Sequence, residues 1–257
     1  MSDITEELAR AREVIAEAER RLRAAVRQMP DSPQRGRLAQ ERWALWQMLG
    51  RDRPYFSQAG QDEFLDRAVF RRKRGGVFVE VGAYDGITGS NTAFFEAFRG
   101  WSGLLVEAAP HLHAEVQRNR ASPCLNLAVA AAEGEADFLD IRRGYLQMGG
   151  LVETMGAQAR AAIEADSRTR AEVIRVPTRP LAAILDEAGL RRIDYLSIDI
   201  EGGEEAVLAA FPFERFEITA WSIEVNEASP AIDALMERAG YRLATHIGVD
   251  QIWLRRG

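Results

Sequence analysis

The residues whose types and spacing could do chemistry in this 257-residue chain are carboxylates standing beside glycines at the ends of apolar runs. Val77 to Asn91, VFVEVGAYDGITGSN, starts as a β-branched and aromatic run and breaks into glycines and turn-formers. A buried strand entering a tight loop reads this way. Glu80, Gly82 and Gly86 form E-x-G-x-x-x-G around Ala83, Tyr84 and Asp85, and Ser90, Asn91 and Thr92 offer caps to the next helix, TAFFEAF. Glycine permits positive φ and close backbone approach, while a helix start presents unpaired N–H groups. The combination suits a polar, nucleotide-like ligand. The spacing departs from the dinucleotide G-x-G-x-x-G and no G-x-x-x-x-G-K-[ST] occurs, so nothing argues for phosphate. An acid at the strand end fits a zwitterionic or cationic ligand better.

Further carboxylates follow the same rule. Gly103 to Val106 reads as a second strand ending in Glu107, about 20 residues beyond Gly86, the spacing at which an acid takes a ribose diol in nucleotide-binding βαβ units. A carboxylate with two acceptor oxygens suits two adjacent hydroxyls. Ile193 to Ile200 is an apolar strand carrying Asp199 and Glu201 at its end, and Ala220 to Val225 leads to Glu224 and Asn226. Two acids two residues apart on a strand share a face, so a cation, a proton or a ligand's positive charge belongs between them. Asp199, Glu224 and Asn226 together offer the oxygen set of a hard divalent cation such as magnesium; hydrogen bonding without a metal is the alternative. Asp199, Glu201 and His246 are the candidate general bases.

The elements that must position these groups are legible in outline. Steps of four and three between apolar residues from Ile4 to Met29 give a heptad-patterned helix, either packed on its own domain or joining a second copy through residues 4–29. Pro30 to Pro33 stop it, and a second helix spans about Leu38 to Leu49, closed by Gly50, with Trp43 and Trp46 on a packing face. Phe64, Leu65, Ala68 and Val69 make a helical stripe with Ser57 as its cap. Further strands are expected at Cys124 to Val129, Ala136 to Ile141 and Val173 to Val176, with a helix at Leu181 to Ala188 and another at Ile232 to Ala239. A hairpin over Tyr241 to Leu254 ends the chain, with His246 and Asp250 at its turn. Residues 142–170, rich in glycine and methionine and with a polar helix over 157–165, read either as a substrate lid or as a poorly ordered excursion.

Composition sets the bounds. At 47% hydrophobic content the chain supports one large α/β domain with a small appendage. A net charge of −6 and a pI near 5.3 disfavour a broad nucleic-acid footprint. The single Cys124 makes no internal disulfide, and neither a signal-like apolar region nor a membrane-length run occurs, so a cytoplasmic location is expected.

Four blocks carry a resemblance: SQAGQD at 57–62, FVEVGAYDG with SNT across 78–92, LLVEAAP at 104–110 and DYLSIDIEGGE at 194–204. In this order the chain resembles the FkbM family of S-adenosylmethionine-dependent methyltransferases from about Tyr55 onward. The resemblance implies a Rossmann-like class I methyltransferase fold over residues 55–257, with a mostly parallel seven-stranded sheet, helices on both faces and a C-terminal antiparallel hairpin. Residues 1–54 are then a helical extension. It implies S-adenosylmethionine as cofactor, met by Glu80, Gly82, Ala83, Tyr84, Asp85, Gly86, Asn91, Glu107 and Asp199, with Gln58, Gln61 and Asp62 lying over the pocket and the loop around Asn126 to Val129 near the adenine. The acceptor it implies is a hydroxyl of a sugar, glycan or natural product. Alternatives are a non-catalytic scaffold assembled through the N-terminal helix and a protein methyltransferase.

Overall fold

The structure, a computed structural model, describes residues 2–49, 54–156, 160–161, 163, 165–226 and 228–257. Its strands in chain order are β1 (Val77–Val81), β2 (Ser102–Val106), β3 (Cys124–Leu125), β4 (Ala128–Val129), β5 (Gly134–Arg143), β6 (Gly150–Leu151), β7 (Arg170–Arg179), β8 (Arg192–Ile198), β9 (Glu217–Glu224), β10 (Tyr241–Ile247) and β11 (Asp250–Arg255). Seven of them form one sheet in the order β10-β11-β9-β8-β1-β2-β3. Pairing is parallel from β9 to β3, and β11 runs antiparallel to both β9 and β10. This is the Rossmann-like arrangement, in which ligands gather beyond the carboxyl ends of the strands.

The central strand β1 is apolar on both faces because helices cover both. Val79 and Val81 face a core shared with helices α6 (Leu181–Glu187), α7 (Glu204–Ala209) and α8 (Pro230–Arg238). Phe78 points the other way, into Leu65, Phe94, Phe95 and Val116. Those residues come from a π-helical turn continuing α3 (Gln61–Phe64), from α4 (Ala93–Arg99) and from α5 (Pro110–Asn119).

Before the sheet stand α1 (Ser2–Gln28) and α2 (Pro33–Met48). Pro33 opens the second helix where a stop was expected: its missing N–H falls at the first helical position, and the Ser32 hydroxyl caps Arg35 N–H. Trp43 and Trp46 are buried, with Trp43 against Gly60. A fully buried Glu19 accepts from Arg42 Nε at 2.9 Å and ties α1 to α2. Gly36 allows α2 to touch the hairpin: Gly248 N–H donates to Gly36 O at 3.1 Å, and a Cβ on Gly36 would lie 2.7 Å from Gly248 O. Gly50 and part of the helix expected over 157–165 lie outside the described residues. Among the described residues no helix is long and apolar enough to cross a membrane.

Two expectations need correction. The strand read over Cys124 to Val129 is two, because the chain leaves the main sheet after Leu125 and re-enters a separate four-stranded sheet, β4-β7-β5-β6. Alternation in β5 and β7 follows from this small sheet burying one face, through Phe138 and Val176. Ser57 stands three residues ahead of the N-cap position, which is Gly60 at φ 97°, yet its Oγ still accepts from Gly60 and Asp62 N–H at the start of α3 and donates to Asp62 Oδ1.

What fixes the glycine loop is a buried ion cluster. Glu80 accepts from Ser90 Oγ, Asn91 N–H and Thr92 Oγ1, and Arg120 donates at once to Glu80, Glu96, Thr92 Oγ1 and the Gly86 carbonyl. Arg120 is 7% exposed and Glu80 4%. Removing one partner of such a pair leaves an uncompensated buried charge. Arg120→Met is therefore expected to cost about 3–5 kcal/mol of stability in urea unfolding. An unfolding midpoint equal to that of the unchanged protein would show that the cluster does not hold the loop.

Candidate active site

At the carboxyl ends of β1, β2, β8 and β9 the structure opens into a cavity of about 1160 Å³. The loop after β1 forms its floor. Gly82 and Ala83 N–H both donate to Val106 O, at 3.0 and 3.1 Å, so the chain turns tightly across the end of β2. Gly82 has φ 83°, and a Cβ there would fall 1.8 Å from Asp199 O, a place that glycine alone can occupy. Tyr84 follows in the left-handed region at φ 53°. Asp85 turns back on its own loop, accepting from Ile87 N–H, Thr88 N–H and Thr88 Oγ1.

Glu107 stands at the end of β2 with its oxygens divided between two backbone donors, Tyr84 N–H and Ala109 N–H, each at 2.8 Å. A carboxylate has about four lone-pair positions, so each oxygen keeps capacity for another donor. Burial pushes its pKa up to about 7, in spite of those hydrogen bonds. Apolar walls continue from it through Leu112, Leu127, Ala128 and Phe138. A diol set between this acid and an apolar slot is what a nucleoside requires.

Beyond Gly82 the strand ends of β8 and β9 bring three acids together. Asp199, Glu201 and Glu224 present oxygens that all lie within 4.8 Å of one another. Burial pushes all three pKa values up: Glu201 reaches about 8, with the Asp199 charge as the next cause, and Glu224 lies well above the carboxylate range. Glu224 and Asp199 hydrogen-bond each other and titrate as a pair, both pushed up by burial. Asn226, expected beside them as an oxygen ligand, donates its amide Nδ2 to Glu224 Oε2 at 2.9 Å; Glu201 stands in the group. Glu201 has φ 58°, a strained conformation for a side chain with a Cβ. Glu204 stabilises that turn by accepting from Ile200 and Gly202 N–H.

The other expected residues divide. Glu80, Gly82, Ala83, Tyr84, Asn91 and Gln58 line the cavity; Asp85, Gly86, Gln61 and Asp62 do not. Asp62 is fully buried under backbone donors from Phe56 and Ser57, and Gln61 Oε1 accepts from Ala59 N–H. His246 also lies outside the lining, on the far side of the hairpin turn. Its Nδ1 is 3.1 Å from Asp31 Oδ2, and its backbone N–H donates to Asp31 Oδ1. Residues 145–149 line the cavity, as a lid reading requires, but Gly150 and Leu151 pair in the small sheet. Sequence reasoning passed over Arg120, Glu204 and Gln40, the last reaching the cavity from α2. Arg120 sits in a helical tail with no local signal, and Gln40 depends on docking across the chain.

Comparison with known proteins places the chain. No curated protein matches it. Its fold is similar to the FkbM methyltransferase of Methylobacillus flagellatus KT, at 14% identity and a TM-score of 0.45, over 93% of this chain and 58% of that one. A TehB-like SAM-dependent methyltransferase from Corynebacterium glutamicum is similar at 11% identity and a TM-score of 0.41, covering 88% of this chain and all of the other (100%). The N-terminal domain of human METTL16, solved with SAH, gives 9% identity and a TM-score of 0.41, over 89% and 73% of the two chains. This chain thus spans less than two thirds of the Methylobacillus protein, and the assignment rests on the family match. The methyltransferase FkbM domain matches residues 80–243, well over half the chain and every strand that lines the cavity. The protein belongs to the FkbM methyltransferase family.

Proposed function

We propose that this chain is an S-adenosylmethionine-dependent O-methyltransferase acting on a hydroxyl of a sugar, glycan or natural product. The observation that carries the reading is the placement of Glu107 and the Asp199, Glu201 and Glu224 group in one cavity, at the carboxyl ends of β2, β8 and β9 of a methyltransferase domain. The residues fit the cofactor: a Gly82 cradle with no room for a Cβ, an acid with spare acceptor capacity for a ribose diol, and an apolar slot for a base. Bound there, S-adenosylmethionine supplies an electrophilic methyl group on a sulfonium.

The chain's own work is positioning and proton removal. Glu107 fixes the ribose and the glycine loop fixes the methionine half, which sets the in-line approach that methyl transfer demands. An alcohol is a weak nucleophile until its proton leaves, and Asp199 is the carboxylate placed to take it. Glu224 is the hydrogen-bond partner that orients Asp199, and burial beside the Asp199 charge pushes Glu201 up to about 8. The same three oxygens favour a second reading, a magnesium or manganese ion that orients the acceptor hydroxyl. We assign residues 1–54 as a helical extension. Leu8 and Val14, 58% and 69% exposed on α1, support self-association through it.

Three experiments test this. Glu107→Ala should weaken calorimetric binding of S-adenosylmethionine by two charge-assisted hydrogen bonds, each about 1.5–3 kcal/mol. Because ribose donors favour the charged form of an acid whose free pKa is about 7, affinity in the unchanged protein should strengthen as pH rises through that value. Affinity within twofold for the variant would remove the ribose assignment.

Asp199→Asn should lower turnover by about 10²–10⁴-fold while leaving cofactor affinity nearly intact. The base acts only when deprotonated and burial raises the pKa of all three acids, so turnover should rise with pH along a titration that belongs to the three acids together. Undiminished turnover in Asp199→Asn excludes it as base, and full activity after exhaustive chelation excludes the metal.

Leu8→Asp with Val14→Asp should shift the mass measured by light scattering from a dimer to a monomer without changing cofactor affinity. A monomeric parent protein would rule out assembly through α1.

A further inference from the structure

The cavity is larger than one ligand needs. Single small-molecule sites run to about 300–1,000 Å³, and this one reaches about 1160 Å³. Past the cofactor half, its walls continue from the three acids to Glu205 and Ser229 on one side and to residues 145–149 on the other. Among the described residues no lysine, arginine or histidine lines any part of it, in a chain that has 33 lysines and arginines. Every charged side chain of the lining is a carboxylate. Arg120, the cation beneath the loop, is fully engaged by Glu80, Glu96 and the Gly86 carbonyl.

A second observation is independent of charge. Asn91 lines the same cavity at 9% exposure, and its Nδ2 donates to Ser197 Oγ and Asp250 Oδ2. Its Oδ1 is buried with no donor facing it. An acceptor buried without a donor costs free energy, which a small shift of the Asn91 side chain toward a ligand's N–H or O–H group would recover. The walls thus offer acceptors and negative charge, and they hold no cation to compensate an anion taken out of water.

Resting on the methyltransferase reading above, we infer that the acceptor half of this cavity selects neutral or cationic polyhydroxyl compounds, amino sugars and their uncharged relatives, and excludes phosphorylated or carboxylated ones. A phosphate or carboxylate entering here would meet the charge of Glu205 and of the Asp199–Glu224 pair at close range, in a site partly shielded from water. An ammonium or hydroxyl group donates to the same oxygens. By this inference the hydroxyl compound is methylated in a form free of phosphate at the reacting end, so any step that attaches a phosphate there comes later.

The test uses the full chain with S-adenosylmethionine and four acceptors of one scaffold: glucosamine, N-acetylglucosamine, glucuronate and glucose 6-phosphate. Formation of S-adenosylhomocysteine is followed with chelator and with magnesium. The first two acceptors should exceed the last two at least tenfold in kcat/KM, and Glu205→Lys should narrow that ratio. Equal or faster transfer to either anion, under either condition, overturns the inference. If none of the four turns over, ligand-observed NMR of glucosamine and glucose 6-phosphate against the S-adenosylhomocysteine-loaded chain decides. Tighter binding of glucosamine sustains the inference; equal or tighter binding of the phosphate, or no binding of glucosamine, overturns it. Calorimetry with S-adenosylhomocysteine separates the two readings, because failure to bind it sinks the methyltransferase assignment itself.

Discussion

The arrangement of this protein depends on one buried ion pair. Arg120 and Glu80 meet where β1 ends and the glycine loop begins, and between them they absorb the polar groups of that loop. Neither residue has solvent to fall back on, so the hydrogen bonds to Ser90, Thr92 and Gly86 are conditions for burying the pair at all. The consequence reaches outward. A loop pinned at both ends holds Gly82 against the Asp199 carbonyl and aims Tyr84 N–H at Glu107. Positions on two other strands are thereby set from one.

Much of this was legible in the sequence, and for stated reasons. The parallel core strands announce themselves because burial on both faces leaves continuous apolar runs, as in VFVEV and YLSI. The acids at their ends follow from the rule that ligands sit beyond strand termini. Less visible were contacts between segments far apart in the chain. Arg120 belongs to a loop start whose partners lie 24 to 40 residues away, and Gln40 enters the cavity through the docking of α2. His246 shows the same limit from the other side. A histidine near a strand end looked available for catalysis, but its partner is Asp31, 215 residues distant. Asn226 does stand beside the acids, where its amide nitrogen rather than its oxygen is turned to Glu224.

The acids themselves illustrate how a site can be built from unfavourable terms. Burial raises the pKa of Glu107, Glu201 and Glu224 before any partner is considered. Glu201 adds a backbone in the left-handed region. Such features persist where the surrounding fold over-determines them, here through Glu204 holding the turn and Gln251 and Trp253 stiffening β11 beside β9. A group held in this condition gains stability from whatever neutralises or completes it.

The separate β4-β7-β5-β6 sheet gives the cavity a wall of different origin from its floor. The floor is locked into the register of the parallel sheet, where a shift of one residue would move every core side chain to the opposite face. The wall is a small mixed unit, β4 parallel to β7 and the rest antiparallel, that leaves the main sheet after Leu125 and returns before α6. Insertions, deletions and recoloured surfaces between Tyr145 and Arg170 can accumulate there without disturbing a single pairing of the central strands. In a lineage under selection for new compounds, one half of this protein is therefore free to be rewritten while the other is inherited intact.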